Sequence, residues 1–471
     1  MITVNMPDTY RCERCYVLDF VFKQVLGLEY EPVFRTDNDA SVTFITLPNN
    51  HFIVVEDILF QTPENDWLAG SVIPVCPLPR VVIDDEVLSE ALTDPELPIL
   101  FAGEAIRRHS RSWEQNNPES LKVHFDLLGS IFFMLSRYEE VAFPVLDNHQ
   151  RYDSRSSLAV INGFEMRPLV DEYVALLRRL IQKLDPSVIC KRNVYSVNVT
   201  HDLDRPFRFV SFPLFIKGFL AHLLKRRDWR LATEWLMQGL RRTRGPRFDP
   251  FFAGMETLLS ITEKYGLRSQ INVMGSMGGL HDEGYDAGKK PLRVMLSAAR
   301  ERGHSIGFHP GYHTYNDSDR FAAEKQHVED SLGVKVCQIR QHYLRMEVPS
   351  TWRIWQQNCI LGDGTLGFPD RNGFRAGTCH MYPLFDLENR CELNVRETPL
   401  IVMDGALKAD FNEALEPDQA ADKAIHLANL CKKYGGTFSL LWHNSSLHGD
   451  WSGWERVYET IVKHSVELID G

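Results

Sequence analysis

The second half of the chain alternates short β-rich runs with helical stretches, and this alternation constrains the fold most strongly. The β-rich runs after residue 190 are VYSVNVT, QINVM, SIGFH, VKVCQIR and TFSLLWH. Helical patterns such as PLRVMLSAARERG and EPDQAADKAIHLANLCKKYGG separate several of them. Strands that alternate with helices pair in parallel through crossover helices, in a barrel or an open sheet. We therefore expect an α/β domain over residues 191–471.

Residues 1–190 follow a different pattern. The runs SVTFITL and HFIVVED predict strands, and LKVHFDLLGSIFFMLSRYEEV and PLVDEYVALLRRLIQKL predict helices. DPSVICKRN at 185–193 has the character of a connector. Since 471 residues are too many for one ordinary core, we expect a separate N-terminal α+β domain over residues 1–190, whose role the sequence does not indicate.

Composition narrows the class of protein. With 44% hydrophobic and 24% charged residues, the chain has the make-up of a soluble globular protein. Its net charge of −11 argues against a nucleic-acid-binding protein. The start, MITVNMPDTYRCERCYVLDF, lacks the basic and apolar regions of a signal peptide, and no apolar run is long enough for a membrane span. A cytoplasmic location is therefore expected.

The cysteines do not indicate a disulfide framework. There are nine, an odd number, scattered along the chain, and they are expected to be reduced thiols. Cys12 and Cys15 have the C-x-x-C spacing of a metal or redox pair, but no second pair accompanies them. We interpret them as two unrelated thiols.

Polar and ionisable residues stand at the ends of four of the predicted strands. In YSVNVTHDLDRPF (195–207), the strand runs into Asp202 and Asp204. His309 follows SIGF, Arg340 ends VKVCQIR, and His443 follows TFSLLW. In α/β folds of this kind the chemistry lies at the carboxyl ends of the strands. These side chains are therefore candidates for one site.

Two carboxylates at i and i+2 beyond a strand end can point into the same pocket. Charges that close repel unless a cation lies between them or one carboxylate holds a proton. A divalent metal satisfies this requirement, with one aspartate as ligand and the other acting on water. GHSIGFHPGYHTY adds His309 and His313 at an H-x₃-H spacing, which suits Zn²⁺ or a similar ion. An Asp-His-His set leaves open positions, which is the catalytic pattern.

Each part of this pattern also has a structural interpretation. Asp202 and Asp204 are compatible with a turn and a helix cap, an isolated H-x₃-H is usually not a metal pair, and a lone His443 is more often a hydrogen-bonded core residue. The occurrence of all of them at successive strand ends favours a shared site.

The order HD-x-D, G-H-x-I-G-x-H-x₃-H, an arginine-containing strand and a late L-x-H resembles the polysaccharide deacetylases (carbohydrate esterase family four). The similarity is greatest to two-domain bacterial members that carry an N-terminal domain of poorly known function. Further similar stretches are GSIFFMLSRYEE, RPLVDEYV, RQHYLR, DGTLGFPDRNGFRAGTC and LLWHNS. The resemblance covers nearly the whole chain.

The resemblance implies a distorted (β/α) barrel and metal-dependent hydrolysis of an N-acetyl group on an amino sugar. It implies that Asp204, His309 and His313 hold the metal, most simply Zn²⁺. Pro310 and Gly311 lie between the two histidines and loosen a helical turn there, so His342 in RQHYLR is the alternative ligand.

The same resemblance assigns the acid–base residues. Asp202 is the expected general base, held by Arg340, and His443 is the expected acid for the leaving amine, oriented by Asp363. The family's adjacent aspartate pair is split here by Leu203, which strand alternation tolerates.

Substrate contacts are expected from three residues. Arg375 in FRAGTC is expected to reach a polar group of the substrate, with a surface turn anchored by arginine as the alternative. His342 and Trp442 complete the predicted substrate-binding set.

A basic helical insertion is predicted at about residues 205–300. Its segment 217–247 contains nine Lys and Arg residues against two acids, Asp228 and Glu234, a local charge of +7. Trp229 and Trp235 are interleaved, and the apolar run FVSFPLFI precedes the segment. A basic amphipathic helix with aromatic residues is typical of anionic membrane surfaces. The alternative is an exposed helix with a solvated basic face.

The sequence thus predicts a cytoplasmic, metal-dependent deacetylase acting on an acetylated sugar, with peripheral membrane contact through 217–247. The expected substrate is the precursor of a surface polysaccharide. Two alternatives remain: a C–N hydrolase acting on a small amide or formamide, and a non-catalytic glycan-binding module that has kept the fold.

Overall fold

The computed structural model describes residues 1–36, 41–109, 113–409 and 415–470. Within these residues the chain forms a six-stranded sheet, a nine-stranded sheet and a two-stranded ribbon. In the same residues no helix combines the length and the apolar character needed to cross a membrane.

The N-terminal region is built on a mixed six-stranded sheet. Its strands and the ribbon are β1 (Ile2–Pro7), β2 (Tyr30–Arg35), β3 (Val42–Thr46), β4 (Phe52–Glu56), β5 (Arg80–Val82), β6 (Glu96–Pro98), β7 (Trp113–Asn117) and β8 (Ser120–Val123). The order in the large sheet is β2-β1-β3-β4-β8-β7, with β5 and β6 as the ribbon. The β1/β2 and β4/β8 pairs are parallel and the others antiparallel.

Helices of eight residues or fewer, together with two longer ones, accompany this sheet. They are α1 (Arg11–Leu18), continued by a π-helical segment (Asp19–Leu26), α2 (Glu86–Ser89), α3 (Glu104–His109), α4 (Leu127–Leu135), α5 (Tyr138–Ala142), α6 (Leu158–Ile161) and α7 (Leu169–Leu184). The strands predicted in 41–57 and the helix predicted at 168–184 are confirmed.

The single helix predicted over 121–141 is wrong. Its first residues belong to β8, and Asp126 then fixes the start of α4 by accepting a hydrogen bond from the Gly129 N–H at 2.6 Å. The same carboxylate accepts from the backbone of Ile58 and Leu59. Arg137, with φ +55°, separates α4 from α5, since a left-handed residue cannot continue a helix.

The second region is built on the nine-stranded sheet. Its strands are β9 (Ser196–Leu203), β10 (Ser269–Met274), β11 (Ser305–His309), β12 (Gln338–Ile339), β13 (Gly362–Asp363), β14 (Tyr382–Asp386), β15 (Cys391–Glu397), β16 (Val402–Met403) and β17 (Thr437–Leu441). The order is β14-β15-β13-β12-β11-β10-β9-β17-β16, and among the described strand pairs of this sheet only β14/β15 is antiparallel. The α/β class is confirmed; the sheet is a curled half-barrel with β14 and β16 at its edges.

Helices connect these strands. They are α8 (Phe212–Leu220), α9 (Trp229–Arg242), α10 (Pro250–Lys264), α11 (Lys290–Glu301), α12 (Ser318–Leu332), α13 (Ser350–Gln357), α14 (Asp404–Lys408), α15 (Pro417–Tyr434) and α16 (Trp454–Asp470). The ends of α15 follow from its sequence: Glu416 and Gln419 form a capping box, Pro417 occupies the first turn, and Gly435 ends the helix at φ +67°.

The insertion predicted at 205–300 is shorter than expected. β10 lies within that range and is a central strand of the sheet, paired with β9 and β11. The part that departs from the strand–helix alternation is therefore 205–249, which contains α8 and α9.

The two regions share buried contacts. The largest cluster of buried apolar side chains contains members from Ile2 to Val395. A buried ion-pair network also joins them: Glu140 contacts Arg137 and Arg375, each at 2.8 Å, and Arg137 donates to the Arg375 carbonyl at 2.6 Å. The N-terminal region is thus packed tightly enough against the α/β region to contribute to the same site.

Candidate active site

The polar strand ends meet at one edge of the nine-stranded sheet. Because β9, β10, β11, β12 and β17 all run in parallel, their carboxyl ends lie side by side. Asp202, Asp204, His309, His342 and His443 all line one pocket of about 310 Å³ at this edge. The pocket therefore collects ionisable groups that are 241 residues apart in sequence at their extremes, between Asp202 and His443.

Asp204, His309 and His342 form a set with the donors of a metal site. Asp204 Oδ1 lies 3.1 Å from His309 Nε2 and 3.6 Å from His342 Nε2. His309 Nδ1 donates to the Arg340 carbonyl at 2.6 Å, so Nε2 is the ring nitrogen that faces the carboxylate. Asp204 Oδ1 and His309 Nε2 are buried and lack a hydrogen-bond partner among the described residues. One carboxylate oxygen and two imidazole nitrogens fit a divalent ion such as Zn²⁺.

Asp282 orients His342. Its Oδ1 accepts from His342 Nδ1 at 2.8 Å, and the carboxylate also accepts from the Tyr312 backbone and from Ser276 Oγ, both at 2.9 Å. Burial would raise the pKa of Asp282, but these donors, His342 first, lower it to about 2. An ionised carboxylate behind a histidine is the usual support for a metal ligand. The sequence carries no signal for this residue, which lies in the loop between β10 and α11.

The structure brings His342, and not His313, to Asp204 and His309. His313 is exposed, and the chain after β11 forms turns until α12 begins at Ser318. Side chains at i and i+4 share a face only in a helix. Gly311 packs in this turn so closely that an added Cβ would lie under 3.0 Å from Asp282. The H-x₃-H spacing therefore does not bring its two imidazoles together, and the second imidazole beside Asp204 is that of His342.

Asp202 is a buried carboxylate beside the ligand set. Its Oδ1 accepts from Asn272 Nδ2 at 2.7 Å and from Arg340 Nη1 at 3.3 Å. Burial would raise the pKa of Asp202, but the positive charges of His309 and Arg340 outweigh that effect and lower it. Asp202 is therefore ionised and fixed in place, as a general base must be. Asn272, on β10, is a partner that the sequence did not indicate.

His443 is held by Asp404. Its Nδ1 lies 2.7 Å from Asp404 Oδ1, and its backbone N–H donates to Asp404 Oδ2 at 2.8 Å. Burial would lower the pKa of His443, but the Asp404 carboxylate raises it to about 10. The imidazole is thus protonated at neutral pH. Its Nε2 lies 3.7 Å from Asp204 Oδ2, on the pocket side.

Asp363, expected to orient His443, lies elsewhere. It accepts from Thr365 Oγ1 at 2.5 Å and lies beside Glu397, whose pKa is raised well above its usual value by burial and by the Asp363 charge. This carboxyl pair lies near Arg340 and not beside His443. Asp404 holds His443 instead because β16 is parallel to β17 and ends next to it. Asp404 also follows an apolar run, LIVM, and that signal was available in the sequence.

Arg375 and Trp442 do not belong to the described residues that line the pocket. Arg375 is buried in a bidentate pair with Glu140 and lies neither in the pocket lining nor on a surface turn. Trp442 points to the opposite side of the strand from His443 and packs against Tyr458, with ring centroids 5.3 Å apart. Strand alternation explains this orientation, since Leu441 and His443 both face the pocket.

The mouth of the pocket includes a residue from the N-terminal region. Arg151 lines the pocket, pairs with Asp147 at 2.6 Å and donates to the Tyr343 carbonyl at 2.9 Å. Tyr343 has φ +62° and is 37% exposed, and His281 lies beside it with ring centroids 5.6 Å apart. The N-terminal region thus forms part of the pocket wall.

Cys12 and Cys15 are not part of this site or of another metal-ligand group in the described residues. Cys12 is exposed and Cys15 is half-buried.

The amino-acid sequence was compared with protein-family models and with curated proteins. Residues 2–186 match a family of unknown function (DUF7033). Among curated proteins, none matches the chain.

Solved structures similar to the chain include polysaccharide deacetylases. A protein from Mycobacterium smegmatis described in those terms aligns with a TM-score of 0.38 and 16% identity over 59% of this chain and 85% of its own. One from Pseudomonas aeruginosa PAO1 aligns at 0.37 and 12% over 57% and 84%. The polysaccharide deacetylase of Bacillus cereus aligns at 0.27 and 11% over 58% and 86%. At these scores the likeness by itself decides no activity.

Proposed function

We propose that the protein is a metal-dependent deacetylase that hydrolyses the N-acetyl group of an amino-sugar-containing substrate, a precursor of a surface polysaccharide. One observation carries the proposal: an ionised carboxylate, a three-residue ligand set and a protonated histidine face the same pocket. Amide hydrolysis needs a base for water, a positive centre for the oxyanion and an acid for the amine.

Asp204, His309 and His342 would hold the metal. When bound there, a divalent ion supplies Lewis-acid polarisation of a carbonyl oxygen and lowers the pKa of water. The one-carboxylate, two-imidazole donor set is better suited to Zn²⁺ than to Mg²⁺ or Ca²⁺, which prefer oxygen ligands.

Asp202 accepts a proton from the attacking water while the water oxygen adds to the acetyl carbon. Arg340 and Asn272 hold one carboxylate oxygen, so that the other is free to act as the base. A positioned acid–base group contributes about 10²–10⁴-fold to the rate.

His443 donates its Nε2 proton to the amine nitrogen as the C–N bond breaks. The products are acetate and the free amine. Asp404 stabilises the protonated imidazole and keeps Nε2 turned towards the pocket.

The sugar part of the substrate is proposed from the sequence motifs and from the mouth of the pocket. There, Arg151, Arg205 and Glu283 offer donors and acceptors around the exposed ring of Tyr343. A few polar groups placed around an aromatic surface orient a polyhydroxylated ligand. No feature of the described residues favours the small-amide hydrolase or the glycan-binding module over this proposal.

Acetate release decides the matter. The full-length protein, stripped by a chelator and reloaded with Zn²⁺, is assayed on N-acetylated amino-sugar precursors and on small amides and formamides. We expect release from the sugars only, lost on chelation and restored by the metal. Release that is insensitive to chelation, or confined to small amides, would overturn the proposal.

A further inference from the structure

Exposed apolar side chains are concentrated in one segment, residues 207–248, which contains α8 and α9 and is called the basic hairpin below. Of the 27 large apolar residues that are exposed in the described chain, eleven lie in 210–248. On α9, Trp229, Leu236, Met237 and Leu240 are 72%, 38%, 52% and 56% exposed. Their spacing of i, i+7, i+8 and i+11 places them on one face of the helix. Exposed apolar patches of this kind mark interaction surfaces.

The hairpin is itself well packed on its inner side, so the apolar outer face is not a sign of poor folding. Trp235 donates to the Phe215 carbonyl at 2.9 Å, and the rings stack with centroids 6.5 Å apart. Gly218 and Gly239 allow this approach, because a Cβ at either would lie 2.2 Å from Trp235 or Phe215. The hairpin is anchored to the rest of the chain by an ion pair.

That anchor joins Arg226 to Asp450 at 2.7 Å. Arg242 pairs with Asp249 at 3.5 Å. Arg208 is half-buried and donates to Gln238 Oε1. The other basic residues of the hairpin are exposed and form no ion pair among the described residues: Lys217, Lys225, Arg227, Arg230, Arg241, Arg244 and Arg247. A chain of net charge −11 thus presents a strongly positive surface at the place where its apolar side chains are exposed.

We propose that the basic hairpin docks on the surface of an anionic lipid bilayer. Apolar side chains on one helix face would insert at the boundary between headgroups and acyl chains, while Lys and Arg contact the phosphates. Nucleic acid would use the charge but not the apolar face, and a protein partner would not require a surface this uniformly basic.

The hairpin begins at the catalytic pocket. A second cavity of about 260 Å³, lined by Phe207, Phe209 and Val210, shares Asp204 and Arg205 with that pocket. Docking would therefore bring the pocket mouth to the bilayer and give it access to an acetylated sugar carried on a lipid. This last step rests on the proposed deacetylase function, whereas docking does not.

Liposome co-sedimentation of the full-length protein tests docking directly. The vesicles are phosphatidylcholine alone, or with about 30 mol% phosphatidylserine to give a negative surface potential. We expect binding to the anionic vesicles at about 0.1 M salt and its loss at about 1 M, where surface charges are screened within about 3 Å. Equal or negligible binding to both vesicles, or salt-sensitive binding to DNA in its place, would overturn the proposal.

Paired variants separate the hairpin from general charge. R241E/R244E is expected to weaken binding to anionic vesicles by more than about tenfold. The control R293E/R300E makes the same charge change at exposed positions of α11 and is expected to bind like the native protein. Equal losses of vesicle binding in the two variants would show that binding depends only on net charge, and would contradict the proposal.

A second pair tests the apolar face. Trp229→Ser is expected to weaken vesicle binding, while Val294→Ser, at a residue 57% exposed on α11, is not. All variants should keep the native circular dichroism spectrum and thermal midpoint. Acetate release from a soluble N-acetylated sugar should also be unchanged, so that failure of docking and failure of the proposed activity are measured separately.

Discussion

His443 Nδ1 lies 2.7 Å from Asp404 Oδ1, and this pair joins the ends of two neighbouring parallel strands, β17 and β16. The carboxylate also accepts from the His443 backbone, so both the ring and its main chain are fixed by one residue. Asp404 is itself fully buried. The arrangement keeps the imidazole protonated and aimed at the pocket, which is what a general acid requires.

The Asp404–His443 pair predicts a pH effect. The carboxylate raises the pKa of His443 to about 10, and Asp404→Asn removes that charge, so the pKa should fall towards its ordinary value. Since the acid must be protonated, the alkaline limb of the rate profile should move to lower pH. The loss should be about 10²-fold or more on an amide and smaller on an activated ester. Asp363→Asn is the control, and an unmoved alkaline limb in Asp404→Asn would remove Asp404 from this role.

Metal retention should follow the geometry of the pocket. Asp204→Asn, His309→Ala and His342→Ala each remove a donor of the ligand set and should lose the metal. His313→Ala changes an exposed side chain outside the set and should retain it. Elemental analysis of the purified proteins measures this directly. A metal-free His313→Ala beside a loaded His342→Ala would reverse the assignment.

Asp202→Asn should keep the metal and lose turnover. The asparagine occupies the same volume, and Arg340 and Asn272 remain to contact its side-chain oxygen. What is lost is the base, with an expected fall in kcat of about 10²–10⁴-fold. The measurement combines elemental analysis with acetate release. Loss of metal in Asp202→Asn alongside full loading in Asp204→Asn would exchange the two roles.

Arg375 should matter for stability and not for substrate binding. Arg375→Ala leaves Glu140 with one of its two buried cations, and breaking such a pair costs about 3–5 kcal/mol. Urea unfolding should show this loss, and the double variant Arg375→Ala/Glu140→Gln should recover part of it. A raised KM with unchanged unfolding would instead make Arg375 a substrate contact.

Arg151 should matter for substrate binding and not for stability. Arg151→Ala removes a cation from the pocket mouth, and loss of a charged hydrogen bond is expected to raise KM about tenfold with kcat little changed. Arg155→Ala, in the same loop, removes an exposed arginine that pairs with Asp153 outside the pocket. Steady-state kinetics compares the two. Equal KM values for the Arg151→Ala and Arg155→Ala variants would exclude the N-terminal region from substrate recognition.

Much of the α/β region could be predicted from local pattern. Apolar runs of period two ending in Asp202, His309 and His443 indicated strands, and the helices between them implied parallel pairing. Parallel pairing brings the carboxyl ends of the strands to one edge of the sheet, regardless of the length of the segments that connect them. The same logic could have found Asp404, which directly follows the two-residue strand β16. The prediction of one helix over 121–141 is wrong because Asp126 caps the helix at its own position. The apolar residues before Asp126 suggest an earlier start.

The residues that the sequence misplaced are those whose positions depend on contacts far along the chain. Whether His313 or His342 reaches Asp204 depends on a turn held by Asp282, 60 residues from His342. Arg375 pairs with the buried carboxylate of Glu140, 235 residues away, and does not line the pocket. Arg151 lines the pocket because the N-terminal region packs against the α/β region. Strand ends follow from local periodicity, because alternation and hydrogen bonding act between neighbours. Ligand choice, orientation of the acid and the pocket wall follow only from tertiary packing, because their energies come from pairs that the linear sequence does not bring together.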